Sequence, residues 1–332
     1  MSLSTDALGG YIELELPVKD QHWLANAYKF NSARAALTSL IAQLTIKEVW
    51  LPRYLCDSII NTFDGGKVQL KFYELAEDFT IKSELSLGEH SLLLYVNYFG
   101  VCTEQALCVI SQYGANKVVI DNSQAMFCDP LETLATIYSP RKFFGLPDGG
   151  LLYSDDPRIK QPEGRDNTSE TRMGHLISRL TNSPEKAYQK YLEAEQAIVD
   201  LPVLGMSELT ERLMHSVDFE AAKFARGRNA RHLHNYLGKY NRLNLNFDDI
   251  TAHSTQHTAP LCYPFLPNVN TARRADLIKK RVFIPSYWPE VMTRVDEGNF
   301  EWDLVTNGLF LPCDQRYTEH DMDRLVHLLA IK

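Results

Sequence analysis

Short runs of consecutive apolar residues alternate with stretches of helical periodicity through the first half of the chain. In 32–44, Ala36, Leu37, Leu40 and Ile41 recur at helical spacing behind Ser32, a residue suited to cap a helix N-terminus. Residues 48–51 (EVWL) read as a buried strand, 56–62 as a helix, and 68–73 as a β-branched and aromatic strand. A strong apolar strand follows at 92–96 (LLLYV), a helix at 104–113, and a strand at 117–120 (KVVI) that ends on Asp121. Two more strands, 134–138 and 150–153, flank a turn rich in Gly and Pro. Continuous apolar strands alternating with helices predict an α/β structure over about 20–200, with a mainly parallel sheet between helices. Ligands of such sheets bind at the carboxyl ends of the strands.

The second half has a different pattern. Met173, Leu176, Ile177 and Leu180 mark one helix, and Tyr188, Tyr191, Leu192 and Ile198 a second, with both tyrosines expected in the core. After a break at 201–205, a long helical stretch runs through Asn235. Strands at 261–265 and 281–284 precede a last helix, opened by the capping box Thr318-x-x-Asp321 and carrying Met322, Leu325, Val326 and Leu329. This pattern divides the chain into a large α/β domain, 1–208, and a smaller C-terminal α+β domain, 209–332.

A length of 332 residues suits two domains. With 34 basic and 42 acidic residues the net charge is −8, a poor balance for general nucleic-acid binding. No run approaches the ~18 apolar residues of a membrane span, and the first twenty residues lack the pattern of a secretory signal. The cysteines, Cys56, Cys102, Cys108, Cys128, Cys262 and Cys313, are scattered without a Cys-x-x-Cys pair, the usage of a reducing cytoplasm. His253 and His257 stand four apart without an intervening glutamate, so nothing points to a metal. Glycine-rich dinucleotide and P-loop motifs are absent, as is the Gly-x-Ser-x-Gly elbow.

Chemistry concentrates in 117–153. One strand ends in Asp121-Asn-Ser-Gln124, and another in Tyr138-Ser139-Pro-Arg-Lys142, followed by Asp148-Gly149-Gly150. If the two strands are neighbours, a carboxylate and a lysine face one crevice. Pyridoxal phosphate chemistry needs that pair: an amine to bind the aldehyde, and a carboxylate to keep the pyridine nitrogen protonated. Backbone N–H groups at a helix start near Ser32, Ala33 and Arg34 suit the phosphate. The same residue types also serve as ordinary turn and loop residues, so spacing alone leaves both readings open.

The pattern Ile120-Asp121-x-x-Gln124-Ala125, Tyr138-Ser-Pro-x-Lys142 and Asp148-Gly149-Gly150 resembles the DegT/DnrJ/EryC1/StrS aminotransferases. Further matches follow in the same order: Asn31-Ser-Ala-Arg34-x-Ala-Leu37, Leu51-Pro-x-Tyr54, Tyr98-Phe-Gly100, and Leu311-Pro-Cys-Asp-Gln315-Arg-Tyr317. The resemblance implies the pyridoxal-phosphate-dependent transferase fold of type I and a homodimer. It implies amino transfer, with glutamate as donor, to a keto-sugar that is nucleotide-linked, in amino-sugar and surface-polysaccharide biosynthesis in the cytoplasm. By the same resemblance Lys142 carries the cofactor as an imine and shuttles protons, Asp121 meets the pyridine nitrogen, and Gln124 meets the phenolic oxygen. Ser139 and Ser32, with the backbone at Ala33 and Arg34, hold the phosphate.

The chain also departs from the family. Ile137 replaces a serine five residues before the lysine, with Ser139 as a substitute. Cys56 stands where a ring-stacking aromatic is usual, leaving Tyr54 or Tyr98 to supply one. The loop that reaches into the neighbouring subunit is not recognisable near Met206 and Ser207. These departures keep open a second reading, a cofactor-binding protein without transaminase activity. A third, sugar dehydration, is disfavoured because family members that dehydrate carry His in place of the lysine. A basic helical stretch, Lys223, Arg226, Arg228, Arg231, His232 and His234, is expected to be a solvated face or subunit contact rather than a diphosphate site.

Overall fold

The apolar runs pair into one seven-stranded sheet. In this computed structural model, which describes residues 9–19, 25–63, 68–245, 247 and 259–331, the strands are β1 (Tyr28–Phe30), β2 (Glu48–Pro52), β3 (Gln69–Tyr73), β4 (Ser91–Val96), β5 (Val118–Asn122), β6 (Ala135–Tyr138) and β7 (Gly150–Tyr153). Their order is β1-β7-β6-β5-β4-β2-β3. Only β7 runs antiparallel to its neighbours, so β1 points the same way as β2 to β6. The central strands β4 and β5 are buried at every residue, while β3, at the edge, is only partly covered. Alternation decides which core each side chain joins: Ile137 and Leu152 enter one cluster, Tyr138 and Leu151 a second on the opposite face. Both faces are therefore covered, as buried parallel strands require.

The helices are α1 (Ala33–Gln43), α2 (Asp57–Ile60), α3 (Thr103–Tyr113), α4 (Gly174–Thr181), α5 (Pro184–Val199), α6 (Glu208–Met214), α7 (Phe219–Leu237), α8 (Arg274–Lys279), α9 (Phe300–Asn307) and α10 (Glu319–Leu329). Two further strands, β8 (Tyr263–Phe265) and β9 (Leu309–Leu311), pair antiparallel as a small second sheet. Ser32 caps α1, accepting from the Ala35 N–H at 3.0 Å, and the capping box of Thr318 and Asp321 opens α10.

Three expectations are corrected. Residues 281–284 are not a strand. Arg281 has φ 62° and ends α8 in a Schellman turn, its N–H on the Ile278 carbonyl and that of Val282 on Leu277. The Val282 N–H is thus committed to the helix end instead of a ladder. The helical stretch before Asn235 is two helices, because Asp218 caps a new start at Phe219. Tyr188 and Tyr191 are exposed, 59% and 42%, and stack on each other along the outer face of α5. His253 and His257 lie outside the described residues.

Two contacts set the register of the sheet's ends. Glu48, at the start of β2, accepts from Trp50 Nε1 at 2.7 Å and Ser91 Oγ at 2.7 Å, and pairs with Lys71 at 2.6 Å, joining β2 to both neighbours. At the other end, β7 begins at Gly150, where a Cβ would overlap the Ser32 carbonyl and the Ala33 nitrogen. The N-terminus of α1 therefore rests directly on the sheet. Gly149, with φ 124°, donates its N–H to the Asn31 carbonyl at 2.8 Å across the same junction.

Gly150→Ala must displace α1 as a backbone body, and the expected loss is about 3 kcal/mol in urea unfolding. A loss below about 0.5 kcal/mol would contradict the close approach. Burial opposes ionisation of Glu48, but its Lys71, Ser91 and Trp50 bonds outweigh that and hold its pKa below 4.5. Its stabilisation is therefore present above pH 4.5 and lost as pH falls through the lowered value. Between pH 7 and pH 4, Glu48→Gln should lose less stability than the parent in urea unfolding.

Candidate functional site

Because β1, β2, β4, β5 and β6 point one way, the segments leaving their carboxyl ends share one edge of the sheet. Every candidate lies there: Ser32, Ala33 and Arg34 after β1, Cys56 after β2, Tyr98 after β4, Gln124 after β5, Ser139 and Lys142 after β6. Asp121 is the penultimate residue of β5, in register with Ile137 of the adjacent β6. The carboxylate and the lysine thus leave neighbouring strands.

The Asp121 side chain is 7% exposed, and its Oδ1 accepts from the Ser123 N–H at 2.8 Å. Gln124 is buried and turned by its Oε1, which accepts from the Phe99 N–H at 2.8 Å. Its Nε2 has no partner among the described residues. A buried amide donor left unpaired costs on the order of 1–3 kcal/mol, so this donor fits an acceptor atom of a bound group. Lys142 ends a 3-10 turn, Pro140–Lys142, with its side chain exposed and its N–H on the Ser139 carbonyl at 3.1 Å. Ser139 is buried at the entry to that turn. At the start of α1, Ser32 Oγ serves Ala35, while the N–H groups of Ala33 and Arg34 precede any intrahelical acceptor. Two backbone donors at the positive end of an 11-residue helix suit a phosphate. The donor set therefore fits pyridoxal 5′-phosphate: a lysine, a carboxylate, an unpaired amide donor and a helix N-terminus.

Three candidates have other engagements. The Arg34 guanidinium reaches the carbonyls of Ile198 and Val199 at the end of α5, at 2.8 and 3.0 Å, so only its backbone faces the site edge. Cys56 is half-buried, with Sγ 3.1 Å from Ser58 Oγ. Tyr98 is fully buried, stacked on Phe79, with its hydroxyl donating to the Tyr54 carbonyl at 2.9 Å; burial holds its pKa well above the ordinary value. Tyr54 belongs to the same aromatic core, edge-on to Trp288. The two tyrosines thus pack the floor beneath the site.

Several contributors had no role assigned from the sequence, although Phe99, Gly100 and Asp148 lie in its motifs. Phe99 holds φ 56° and Gly100 φ 79°, with room for a Gly100 Cβ only 3.0 Å from the Gln124 carbonyl. A glycine directly after an aromatic pair, at Tyr98-Phe99-Gly100, was the available signal. Asn97 ties this loop down, donating its N–H to the Asp121 carbonyl at 3.1 Å and accepting from the Cys102 N–H at 2.9 Å. Asp148 is fully buried and anchors α6, accepting from the Ser207 N–H at 2.8 Å, Ser207 Oγ at 2.7 Å and Thr210 Oγ1. Burial raises its pKa despite these bonds.

Of the basic stretch on α7 only Arg226 is buried, against expectation, and the other five residues are half-buried. Arg226 is 3% exposed, Asn229 and Arg228 hold the Tyr317 carbonyl, and His232 pairs with Asp323 of α10. A cavity of about 630 Å³ opens beside the site edge, lined by Phe127, Cys128, Tyr138, Tyr153, Phe219 and Lys223 among others; neither Asp121 nor Lys142 lines it. Among the described residues no helix is long and apolar enough to cross a membrane, and no cluster of His, Cys, Asp and Glu is arranged for a metal.

This architecture is shared with solved structures of pyridoxal-phosphate-containing and sugar-modifying enzymes. A Streptococcus pneumoniae sugar aminotransferase in its PLP form matches with TM-score 0.60 at 12% identity, covering 91% of this chain and 86% of that one. A DegT DnrJ EryC1 StrS aminotransferase from Brucella abortus matches with TM-score 0.56 at 13% identity, over 92% and 85%. The E. coli GDP-4-keto-6-deoxy-D-mannose-3-dehydratase with bound hydrated PLP matches with TM-score 0.57 at 15% identity, over 91% and 87%. No family sequence model and no curated protein matches the sequence.

Asp148→Ala strands buried donors at the start of α6 and is expected to lower stability by about 2–4 kcal/mol in denaturant unfolding. Asp148→Asn, which keeps one acceptor oxygen, should lose less.

Proposed function

We propose that this chain is a pyridoxal-phosphate-dependent aminotransferase that passes an amino group, from a donor such as glutamate, to a keto-sugar carried on a nucleotide. The observation that carries the reading is the arrangement at the ends of β5 and β6: buried Asp121, Gln124 with its Nε2 unpaired among the described residues, and the exposed Lys142 side chain leave adjacent strands. The matched sugar aminotransferase in its PLP form and the matched dehydratase with bound PLP support it.

In this reading Lys142 Nζ would tether the cofactor and, when free, would carry a proton between the substrate carbon and C4′ of the cofactor. Asp121 keeps the pyridine nitrogen protonated, Gln124 Nε2 donates to the phenolic oxygen, and Ser139 with the Ala33 and Arg34 N–H groups binds the phosphate. When bound, pyridoxal phosphate supplies the electron sink that makes that carbon acidic. An amine at position 142 favours amino transfer over the dehydration named for one matched structure. A homodimer, a role in surface-polysaccharide synthesis and a cytoplasmic setting belong to the same proposal, the last supported by six free cysteines. So does the division into 1–208 and 209–332. The second reading, cofactor binding without turnover, is favoured by one observation. Cys56 offers no ring, and Tyr54 and Tyr98 are packed in the core.

The purified protein should be yellow with pyridoxal phosphate, and glutamate should shift its absorbance. A screen of nucleotide-linked keto-sugars with glutamate should release 2-oxoglutarate. Colour that no amino donor moves supports the non-catalytic reading, and a colourless protein that takes up no cofactor overturns both. Lys142→Ala should abolish the visible band without changing the circular dichroism. Asp121→Asn should retain colour and lose turnover by about a hundredfold; unchanged turnover would remove Asp121 from its role.

A further inference from the structure

Arg226 lies on the buried stripe of α7, in helical step with Ala222, Ala230, Leu233 and Leu237. A cation in that position is costly unless its donors are met. They are met by neutral groups. Nε donates to Gln315 Oε1 at 2.7 Å, Nη1 to the Pro260 and Leu261 carbonyls at 3.0 and 3.1 Å, and Nη2 to the Phe143 carbonyl at 3.5 Å. The guanidinium also lies over the Phe143 ring, 4.7 Å from its centre. Gln315 Nε2 donates to the same Phe143 carbonyl at 2.8 Å.

Phe143 directly follows Lys142. Its carbonyl therefore receives two side chains from the C-terminal region, while its N–H is held by Pro140 at 2.9 Å and Arg141 pairs with Glu195 of α5. A second branch starts from the same guanidinium. Leu261, whose carbonyl accepts from Arg226, donates its N–H to the Phe99 carbonyl at 2.8 Å, and Phe99 in turn donates to Gln124 Oε1. One arginine thus connects the turn that carries Lys142 with the loop that aims the Gln124 amide.

We propose that Arg226, with Gln315 as its partner, is a positioning residue that fixes the Lys142 turn against the Gln124 loop. Both groups can then address one bound ring. The inference rests on the cofactor assignments of Lys142 and Gln124. A guanidinium suits the task because its planar fork reaches three carbonyls and an amide oxygen at once, a geometry that a lysine's single ammonium cannot reproduce.

The test uses the full-length protein with Arg226→Met, Arg226→Lys and Gln315→Leu, and Glu301→Gln as a buried control remote from this network. Hydrogen exchange is measured on the cofactor-free proteins. Arg226→Met and Gln315→Leu should speed exchange in 139–146 and 97–101 by about tenfold, the factor that losing one or two hydrogen bonds makes in a local opening. Exchange in 103–113 should stay unchanged. Glu301→Gln should leave 139–146 unchanged. With pyridoxal phosphate added, the Arg226 and Gln315 variants should bind it more weakly and lower kcat more than they raise KM, with Arg226→Lys only partly restored. Unchanged exchange at 139–146, or acceleration spread evenly over the chain, overturns the proposal. So does wild-type cofactor affinity in Arg226→Met. A wild-type protein that takes up no pyridoxal phosphate overturns the functional reading and, with it, the role assigned to the clamp. Normal uptake by the wild type with unaltered exchange in the variants overturns the clamp alone.

Discussion

The parallel pairing of β5 with β6, which sets Asp121 opposite Ile137, is the constraint on which the site depends. Parallel strands deliver their carboxyl ends to one edge, so a residue ending one strand and a turn following the next become neighbours without any direct bond between them. A shift of β5 by one residue would turn Asp121 to the other face and put Ile120 or Asn122 in its place. The register is secured by burial on both sides of the sheet. Exposing either apolar set would cost far more than any single contact at the site contributes.

Around that edge, glycine and strained backbone bring remote pieces close. Gly150 lets the start of α1 rest on β7, carrying the first N–H groups of the helix toward the ends of the central strands. Phe99 and Gly100 bend the loop after β4 so that Gln124 is gripped by its oxygen and leaves its nitrogen available. The aromatic core beneath, where Tyr98 meets the rings of Tyr54, Phe79 and Trp288, gives this bend a rigid floor. Local strain of this kind persists only where surrounding packing over-determines it.

The C-terminal region contributes structure to the site edge through polar groups in an apolar setting. A helix stripe of Ala, Leu and one Arg reads in sequence as an amphipathic helix with a charge near its seam. The partners of that charge, Gln315 and the carbonyls of Pro260, Leu261 and Phe143, come from distant segments. The identity of the partners was therefore invisible to any local pattern. The spacing of Arg226 with Ala222 and Ala230 did hold the signal that this residue points inward.

The sequence by itself determined the elements and the chemistry they could carry. The apolar runs 92–96 and 118–120 are fully buried in strands because no solvated alternative suits such residues, and Ser32 and Thr318 cap helices through their own side chains. Lys142, Asp121 and Gln124 were legible as candidates because they lie at or just after strand ends, and strand ends in a parallel sheet share an edge. The tertiary structure alone decided what depends on contacts between distant residues. Arg281 ends a helix and begins no strand, the Tyr188 and Tyr191 pair faces outward, and Tyr98 belongs to the floor of the site. Each outcome follows from which neighbours compete for a side chain or an N–H group, and those neighbours lie far away along the chain.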